Sequence, residues 1–271
     1  MDLNTVTTIL QPKQRDELPA FAESDAWLAG GTWLFSEPQP TLSRLIDLTT
    51  LGWEPIEISS EGLEIAATCI FARLEALALP TEWLAAPVFR QCCRALLGSF
   101  KVWNQATIGG NLCLALPASP MAALFSALDA TCTIWNAAGG ERQLSAVDFV
   151  TGAGRNALLP GEVLRSAHIP AASLTRRSAF RQISLSPLGR SGALLIGTRG
   201  KSDFALTVTA ATVRPVKIAF VTMPEPGELA EALNEAIPET LYHDDVHGRP
   251  DWRRHITHLL AQEVRAELAA A

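Results

Sequence analysis

Two glycine pairs, Gly30-Gly31 and Gly109-Gly110, constrain this 271-residue chain more than any other feature. Each is entered from an apolar stretch. A glycine pair lets the backbone turn sharply and removes side chains that would block a ligand, so successive N–H groups can converge on an anion such as a pyrophosphate. Taken singly, a Gly-Gly pair marks a turn. Two of them, one followed by Thr32 and the other flanked by Thr107 and Asn111, can grip one extended diphosphate from two sides.

Other chemistry is poorly represented. There is no G-x-S-x-G elbow, no P-loop and no G-x-G-x-x-G fingerprint, so a nicotinamide cofactor has no dedicated crossover motif. His255 and His258 lie three residues apart without an H-E-x-x-H to supply a third ligand, which favours a polar helix face over a metal site. The five cysteines (Cys69, Cys92, Cys93, Cys113 and Cys132) contain no C-x-x-C pair, so the spacing offers neither a zinc site nor an iron–sulfur cradle. An odd number of thiols in a chain this size predicts reduced cysteines and a cytoplasmic protein. The opening MDLNTVTTIL has no basic region or long apolar run, and no stretch approaches the ~20 apolar residues of a membrane span. A net charge of -6 disfavours nucleic acid as a partner. Hydrophobic residues at 48% against 18% charged support a sizeable core.

The pattern along the chain is mixed. Gln11–Ser24 reads as a short helix broken by Pro19, Leu45–Leu48 and Leu63–Thr68 as buried strands, and Phe71–Leu79 as a helix. Pro87 is placed for the first turn of a helix to about Leu97, which Gly98 ends. Trp103–Asn111 reads as a loop, Met121–Leu128 as a helix, Ala130–Trp135 as a strand and Asn136–Gly140 as a turn. Beyond Pro170 come three β-rich runs, Ala179–Leu185, Ala193–Thr198 and Phe204–Val221, with a turn at Arg199–Ser202. Helices over Glu228–Ala236 and Pro250–Ala269 close the chain. A boundary is expected near Ile169–Ser173, between an α+β first part and an antiparallel sheet with helices.

The segments WLAGGTWL (Trp27–Leu34) and TIGGNL (Thr107–Leu112) resemble the two FAD-pyrophosphate loops of the xanthine dehydrogenase and carbon monoxide dehydrogenase medium subunits. The resemblance continues in order through Leu128-Asp129-Ala130, Val147-Asp148-Phe149, Pro160-Gly161-Glu162-Val163-Leu164, Ile169-Pro170, Ser178-Ala179-Phe180-Arg181 and Asp245-Val246-His247-Gly248. It is loose only over about 214–242.

The resemblance implies an α+β fold: a PCMH-type FAD-binding domain over 1–170, in two α+β subdomains of about 1–52 and 53–170, then a small antiparallel sheet domain with helices over 171–271. It implies noncovalent FAD touched by the backbone of Leu28, Ala29, Gly30, Gly31 and Thr32, and by that of Thr107, Ile108, Gly109, Gly110 and Asn111. Leu164 would lie against the isoalloxazine, although the residues alone favour ordinary core, and Arg181 would be a cation stabilising the reduced flavin, with a solvated strand arginine the equal alternative. Leu97 falls where some members place an aromatic on the flavin's path, although helix core is the simpler role. Pro120 stands where many members have an aspartate, and Ser119 is expected to take over its hydrogen bond to the cofactor.

The implied role is the FAD subunit of a heterotrimeric molybdenum hydroxylase. A large subunit would hold the molybdopterin cofactor and a small one the [2Fe–2S] clusters, with NAD or oxygen as terminal acceptor. Two other readings stay open. One is a stand-alone flavin oxidoreductase of the same fold, and the other a flavin-free scaffold subunit.

Overall fold

The first glycine pair lies at the carboxyl end of a parallel strand. In the computed structural model, which describes residues 3–136 and 139–270, β1 (Thr8–Leu10), β2 (Asp25–Leu28) and β3 (Arg44–Asp47) form a small parallel sheet of order β1-β3-β2. The strand β2 runs straight into Ala29-Gly30-Gly31, and the outer carboxyl ends of parallel strands are where ligands bind in such sheets. Asp25 anchors the other end of β2. Its buried carboxylate takes two hydrogen bonds from Arg44 and one from the Ala22 amide. The helix expected over Gln11–Ser24 is absent apart from a 3-10 turn at Arg15–Glu17. Pro12 and Pro19 bracket that turn, and Arg15 leaves it to lie over the Trp135 ring at 4.3 Å.

The second part is built on an antiparallel sheet. Its strands are β4 (Ile56–Ser59), β5 (Gly62–Ala66), β6 (Thr131–Trp135) and β7 (Glu141–Ser145), followed after the β8–β9 hairpin (Val150–Gly152, Arg155–Asn156) by β10 (Val163–Pro170). Their order is β4-β5-β10-β6-β7. Helices α1 (Phe71–Glu75), α2 (Ala86–Ala95), α3 (Phe100–Trp103), α4 (Ile108–Leu114), α5 (Pro120–Ala127) and α6 (Ala146–Phe149) come from its connections, and α7 (Ala171–Leu174) follows its last strand. Leu63, Ile65, Ile134, Leu164 and Ile169 face them, in one core with Phe89, Leu112 and Phe125. Arg165 lies over the Trp53 and Trp135 rings at 4.7 and 5.7 Å, so with Arg15 a ladder of guanidinium and indole groups ties the first sheet to the second. The turn expected over 136–140 includes residues 137 and 138, which lie outside the described residues.

Beyond α7, strands β11 (Arg177–Ile183), β12 (Ala193–Arg199), β13 (Phe204–Thr209) and β14 (Val216–Phe220) form an antiparallel meander. The single run expected over Phe204–Val221 is two strands, because the chain reverses at Ala210, which takes a left-handed φ of 63°. Alternation along β12 decides the layering. Leu194 and Ile196 join the core around α5, while Ala193 and Leu195 join a second core with α8 (Pro226–Ala236) and α9 (Pro250–Ala270).

Glu162, from the P-G-E-V-L segment, joins three parts of this frame. Its carboxylate accepts from Arg142 Nε at 2.8 Å, Arg142 Nη2 at 2.6 Å and the Leu159 amide at 2.8 Å, and its carbonyl accepts from Trp27 Nε1 at 2.9 Å. The hydrogen bonds from Arg142 hold the Glu162 carboxyl below its ordinary value, and those from Arg44 do the same for Asp25, in each case against the opposing effect of burial. A carboxyl depressed in the fold contributes stability that is complete above its unfolded value, about 4.3 for glutamate, and is lost as pH falls through its folded value. Denaturant titrations should therefore show stability falling steadily below about pH 4. Glu162→Gln should cost about 2 kcal/mol at pH 7 and flatten the acid limb. Parallel acid limbs in variant and parent would remove Glu162 from this account.

Candidate functional site

An open cleft of about 550 Å³ runs between the two glycine segments. That volume is within the usual range for a small-molecule site. Its walls come from Gly30 through Leu34, from Thr107, Gly110 and Asn111, and from apolar groups that include Trp27, Leu96 and Leu158.

The first glycine pair opens a single helical turn. The Phe35 amide donates to the Gly31 carbonyl at 2.8 Å, and Gly31 takes a left-handed φ of 68°. The leading N–H groups of such a turn have no partner within it. Among the described residues the amides of Gly31, Thr32, Trp33 and Leu34 donate to no protein acceptor. Four consecutive free donors on a cleft wall form a receptor for an anion. Gly30 has a different task. A Cβ there would come within 2.7 Å of the Gln105 carbonyl carbon and 3.2 Å of the Ala106 Cα, so only glycine lets the two walls meet backbone to backbone.

The second pair departs from expectation. Trp103–Asn111 is not a continuous loop: Phe100–Trp103 is helical, and Thr107 caps α4, with Gly109 and Gly110 in its first turn. The backbone amides of this segment are already engaged. Ile108 donates to the Cys69 carbonyl at 2.7 Å, Gly109 to Ala67 at 2.9 Å, Gly110 to the Thr107 hydroxyl at 3.1 Å and Asn111 to the Thr107 carbonyl at 3.0 Å. What this wall offers a ligand is space and a side chain. A Cβ on Gly110 would meet only Thr107 Oγ1, at 2.8 Å, and otherwise the open cleft. Asn111 Oδ1 accepts from the Ser119 hydroxyl at 2.7 Å and the Met121 amide at 3.2 Å. Its Nδ2 donors are thereby turned out, with no protein acceptor among the described residues.

Ser119 lines the cleft, and its hydroxyl is committed to the protein, donating to Asn111 and accepting from the Ala122 amide as the N-cap of α5. Pro120 then occupies the first position of that helix, where its missing N–H removes no hydrogen bond. The acidic side chain expected at that point of the resemblance is thus replaced by a capping arrangement that points Asn111.

Leu28 ends β2 immediately before the cleft, and Ala29, Gly30, Gly31, Thr32, Thr107, Gly110 and Asn111 line it. Ile108 and Gly109 are buried behind the wall. Two expected residues lie elsewhere. Leu164 is 3% exposed in the core, opposite Ile134. Arg181 is paired with Glu263 and Glu267 of α9, at 2.8 Å each. Conversely Leu97, read as helix core, is 58% exposed and lines the cleft, because α2 stops at Ala95. Sequence reasoning missed Arg190, which also lines it; a cation in an irregular turn carries no periodic signal. Cys113 lines the cleft too, and burial pushes its thiol up to about 12, so it is protonated and a poor nucleophile. Among the described residues no group of three His, Cys, Asp or Glu could hold a metal ion, and no helix is long and apolar enough to cross a membrane.

The cleft therefore presents free donors, an unbranched approach at Gly110 and no carboxylate among its lining residues. A family described as the FAD binding domain in molybdopterin dehydrogenase matches residues 5–172. The chain belongs to this family. The donor set fits the family's cofactor, since FAD carries a diphosphate for the Gly31–Leu34 amides. Two characterised relatives are similar over parts of the chain. The caffeine dehydrogenase subunit beta of Pseudomonas sp. (strain CBB1) is 37% identical over 84 residues, 31% of this chain and 28% of that protein. The nicotinate dehydrogenase FAD-subunit of Eubacterium barkeri is 28% identical over 199 residues, 66% of this chain and 64% of that one. The matched segments thus span less than two thirds of either relative. The fold is shared more widely. A chain of the carbon monoxide dehydrogenase of Hydrogenophaga pseudoflava superposes with a TM-score of 0.82 at 18% identity, covering 98% of both chains. A chain of quinoline 2-oxidoreductase from Pseudomonas putida 86 does so with a TM-score of 0.76 at 22% identity, covering 100% of this chain and 99% of that one.

Proposed function

We propose that the chain is the FAD-carrying subunit of a molybdenum hydroxylase complex, organised as an FAD-binding part to about residue 170 and a sheet-and-helix part beyond it. FAD would be held noncovalently, its diphosphate on the free amides of Gly31–Leu34, with Asn111 Nδ2 as a further donor and Gly110 leaving room. The observation that carries this reading is the cleft wall of four unpaired amides facing a glycine that has open space in place of a side chain. The chemistry FAD supplies is reversible electron transfer, and this chain's residues bind and orient it.

The names of the relatives support partner subunits. The described residues provide no cluster ligands and no metal-binding group. Electrons would reach FAD from [2Fe–2S] clusters of a small subunit, fed by a molybdopterin-containing large subunit, and leave to an acceptor such as NAD or oxygen. Relatives named for caffeine and for nicotinate align with parts of the chain, which supports a role common to different substrates.

The test is co-expression with candidate partner subunits. The purified complex should be yellow, acid precipitation should release all of its flavin, and a substrate of the large subunit should bleach it. The chain alone should hold flavin that no aldehyde or purine reduces. Turnover of a substrate by the isolated chain at ordinary enzyme rates would instead identify a stand-alone flavoenzyme. A colourless complex that takes up no added FAD would identify a scaffold.

A further inference from the structure

Asn111 lies in α4 and lines the cleft, and two groups at the start of α5 decide which way its amide points. Its Oδ1 accepts from the Ser119 hydroxyl at 2.7 Å and from the Met121 amide at 3.2 Å. An amide oxygen has two lone pairs, so both are filled. The reverse orientation is excluded. It would set the Nδ2 donors against the Met121 N–H, donor against donor, and would leave the Ser119 hydroxyl only the Asn111 carbonyl, at 3.2 Å.

The Ser119 hydroxyl is itself directed. It is 2% exposed, and its oxygen accepts from the Ala122 amide at 3.2 Å as the N-cap of α5. That N–H occupies a lone pair, so the hydroxyl proton must point elsewhere, and the Asn111 oxygen is what it meets. Pro120 has no N–H to compete for either oxygen. The amides of Met121 and Ala122 thus act on the cleft at one remove. They hold the Asn111 oxygen inward and leave its two Nδ2 protons facing the ligand. Each link polarises the next in the same sense, which strengthens the outer donors.

We propose that Ser119 is a positioning residue for FAD: its hydroxyl, held by the Ala122 amide, fixes the Asn111 amide with its Nδ2 donors toward acceptor oxygens of the bound cofactor; this rests on the FAD reading above. Ser119 donates nothing to the cofactor itself, because its single proton is committed to Asn111. A donor fixed before the ligand arrives loses no rotamer freedom on binding. An amide free to turn would also present its oxygen, which repels a phosphate.

The full-length chain should be stripped of flavin and titrated with FAD as wild type, Asn111→Ala, Ser119→Gly, Ser119→Thr and the Asn111→Ala/Ser119→Gly double variant. Glycine serves as an N-cap almost as well as serine, so Ser119→Gly should lower the melting temperature by less than about 2 °C. Asn111→Ala should weaken FAD binding about tenfold, the loss of one hydrogen bond to a charged group. Ser119→Gly should weaken it about fivefold, since the Met121 amide still holds Asn111 in part. The double variant should also stand at about tenfold, and not at the roughly fiftyfold product of independent effects. Ser119→Thr keeps the hydroxyl and the cap and should stay within about twofold of wild type. Wild-type affinity in Ser119→Gly or in Asn111→Ala overturns the proposal. So does a fiftyfold loss in the double variant, which would mean that Ser119 acts on FAD without Asn111. A wild-type chain that takes up no FAD sinks the FAD reading itself, and the parent protein alone tells that failure from the others.

Discussion

Gly110→Val is expected to yield a protein that folds and is colourless. Gly110 lies in the first turn of α4 with no left-handed φ to strain, and valine is no worse than glycine in a helix. The added Cβ meets only the Thr107 hydroxyl, at 2.8 Å, a cap that can shift slightly. Its two methyl groups must then stand in the cleft, opposite the free amides of the first segment. Flavin retention should fall at least a hundredfold while circular dichroism and the melting temperature stay close to wild type. Full flavin occupancy in this variant would mean that the cleft is not where FAD lies.

Arg253→Ala should be the most damaging single change to stability. Arg253, in the first turn of α9, is 1% exposed. Its Nε donates to the Gly248 carbonyl at 2.8 Å, its Nη1 to Gly192 at 2.6 Å and to Ala210, and its Nη2 to the Asp245 carboxylate. Truncation removes the donor from three carbonyls and the cation from Asp245, at the edge of a cavity of about 250 Å³. Losing several charge-assisted hydrogen bonds at once costs roughly 3–5 kcal/mol. For a chain of this size that lowers the melting temperature on the order of 10 °C. Arg253→Lys should recover only part of the loss, because an ammonium cannot reproduce the planar fork. A thermal shift below about 2 °C would show that other donors reach these carbonyls.

The parts of this molecule that were legible in its sequence are those where periodicity and turn chemistry agree. The last helix, with Trp252, Ile256, Leu260 and Val264 at helical spacing, runs over Pro250–Ala270 as its pattern predicts, and Pro87 does open α2. Strands around Leu45 and Leu63 are where apolar runs place them. The failures share a cause, which is long-range contact overriding local preference. Gly109-Gly110 argue against a helix, yet the Ile108 and Gly109 amides find acceptors on Cys69 and Ala67, forty residues earlier in the chain, and α4 forms around them. Gln11–Ser24 has helix-compatible residues, but Arg15 is drawn out to the Trp135 ring. For the cleft, Gly30, Gly110, Thr107 and Asn111 each have a steric or hydrogen-bonding reason to be where they are. That the first segment keeps its amides free while the second uses them depends on which carbonyls happen to be near, and no local pattern encodes that. Arg181 and Arg190 differ in the same way, since only the folded chain brings Glu263 and Glu267 to the first and leaves the second alone.

The backbone contact between Gly30 and Gln105–Ala106 bears on when the cofactor can arrive. Because the two walls touch through main chain, the receptor is assembled by folding itself, and no closure has to be driven by the ligand. A site that is fully populated before binding imposes no penalty on apparent affinity. Loading can then follow synthesis at any later moment. Apoprotein stripped of flavin and stored should regain it on simple mixing, at a rate that rises linearly with FAD concentration and shows no slow isomerisation. The chain can thus wait, empty and folded, until its cofactor is in supply.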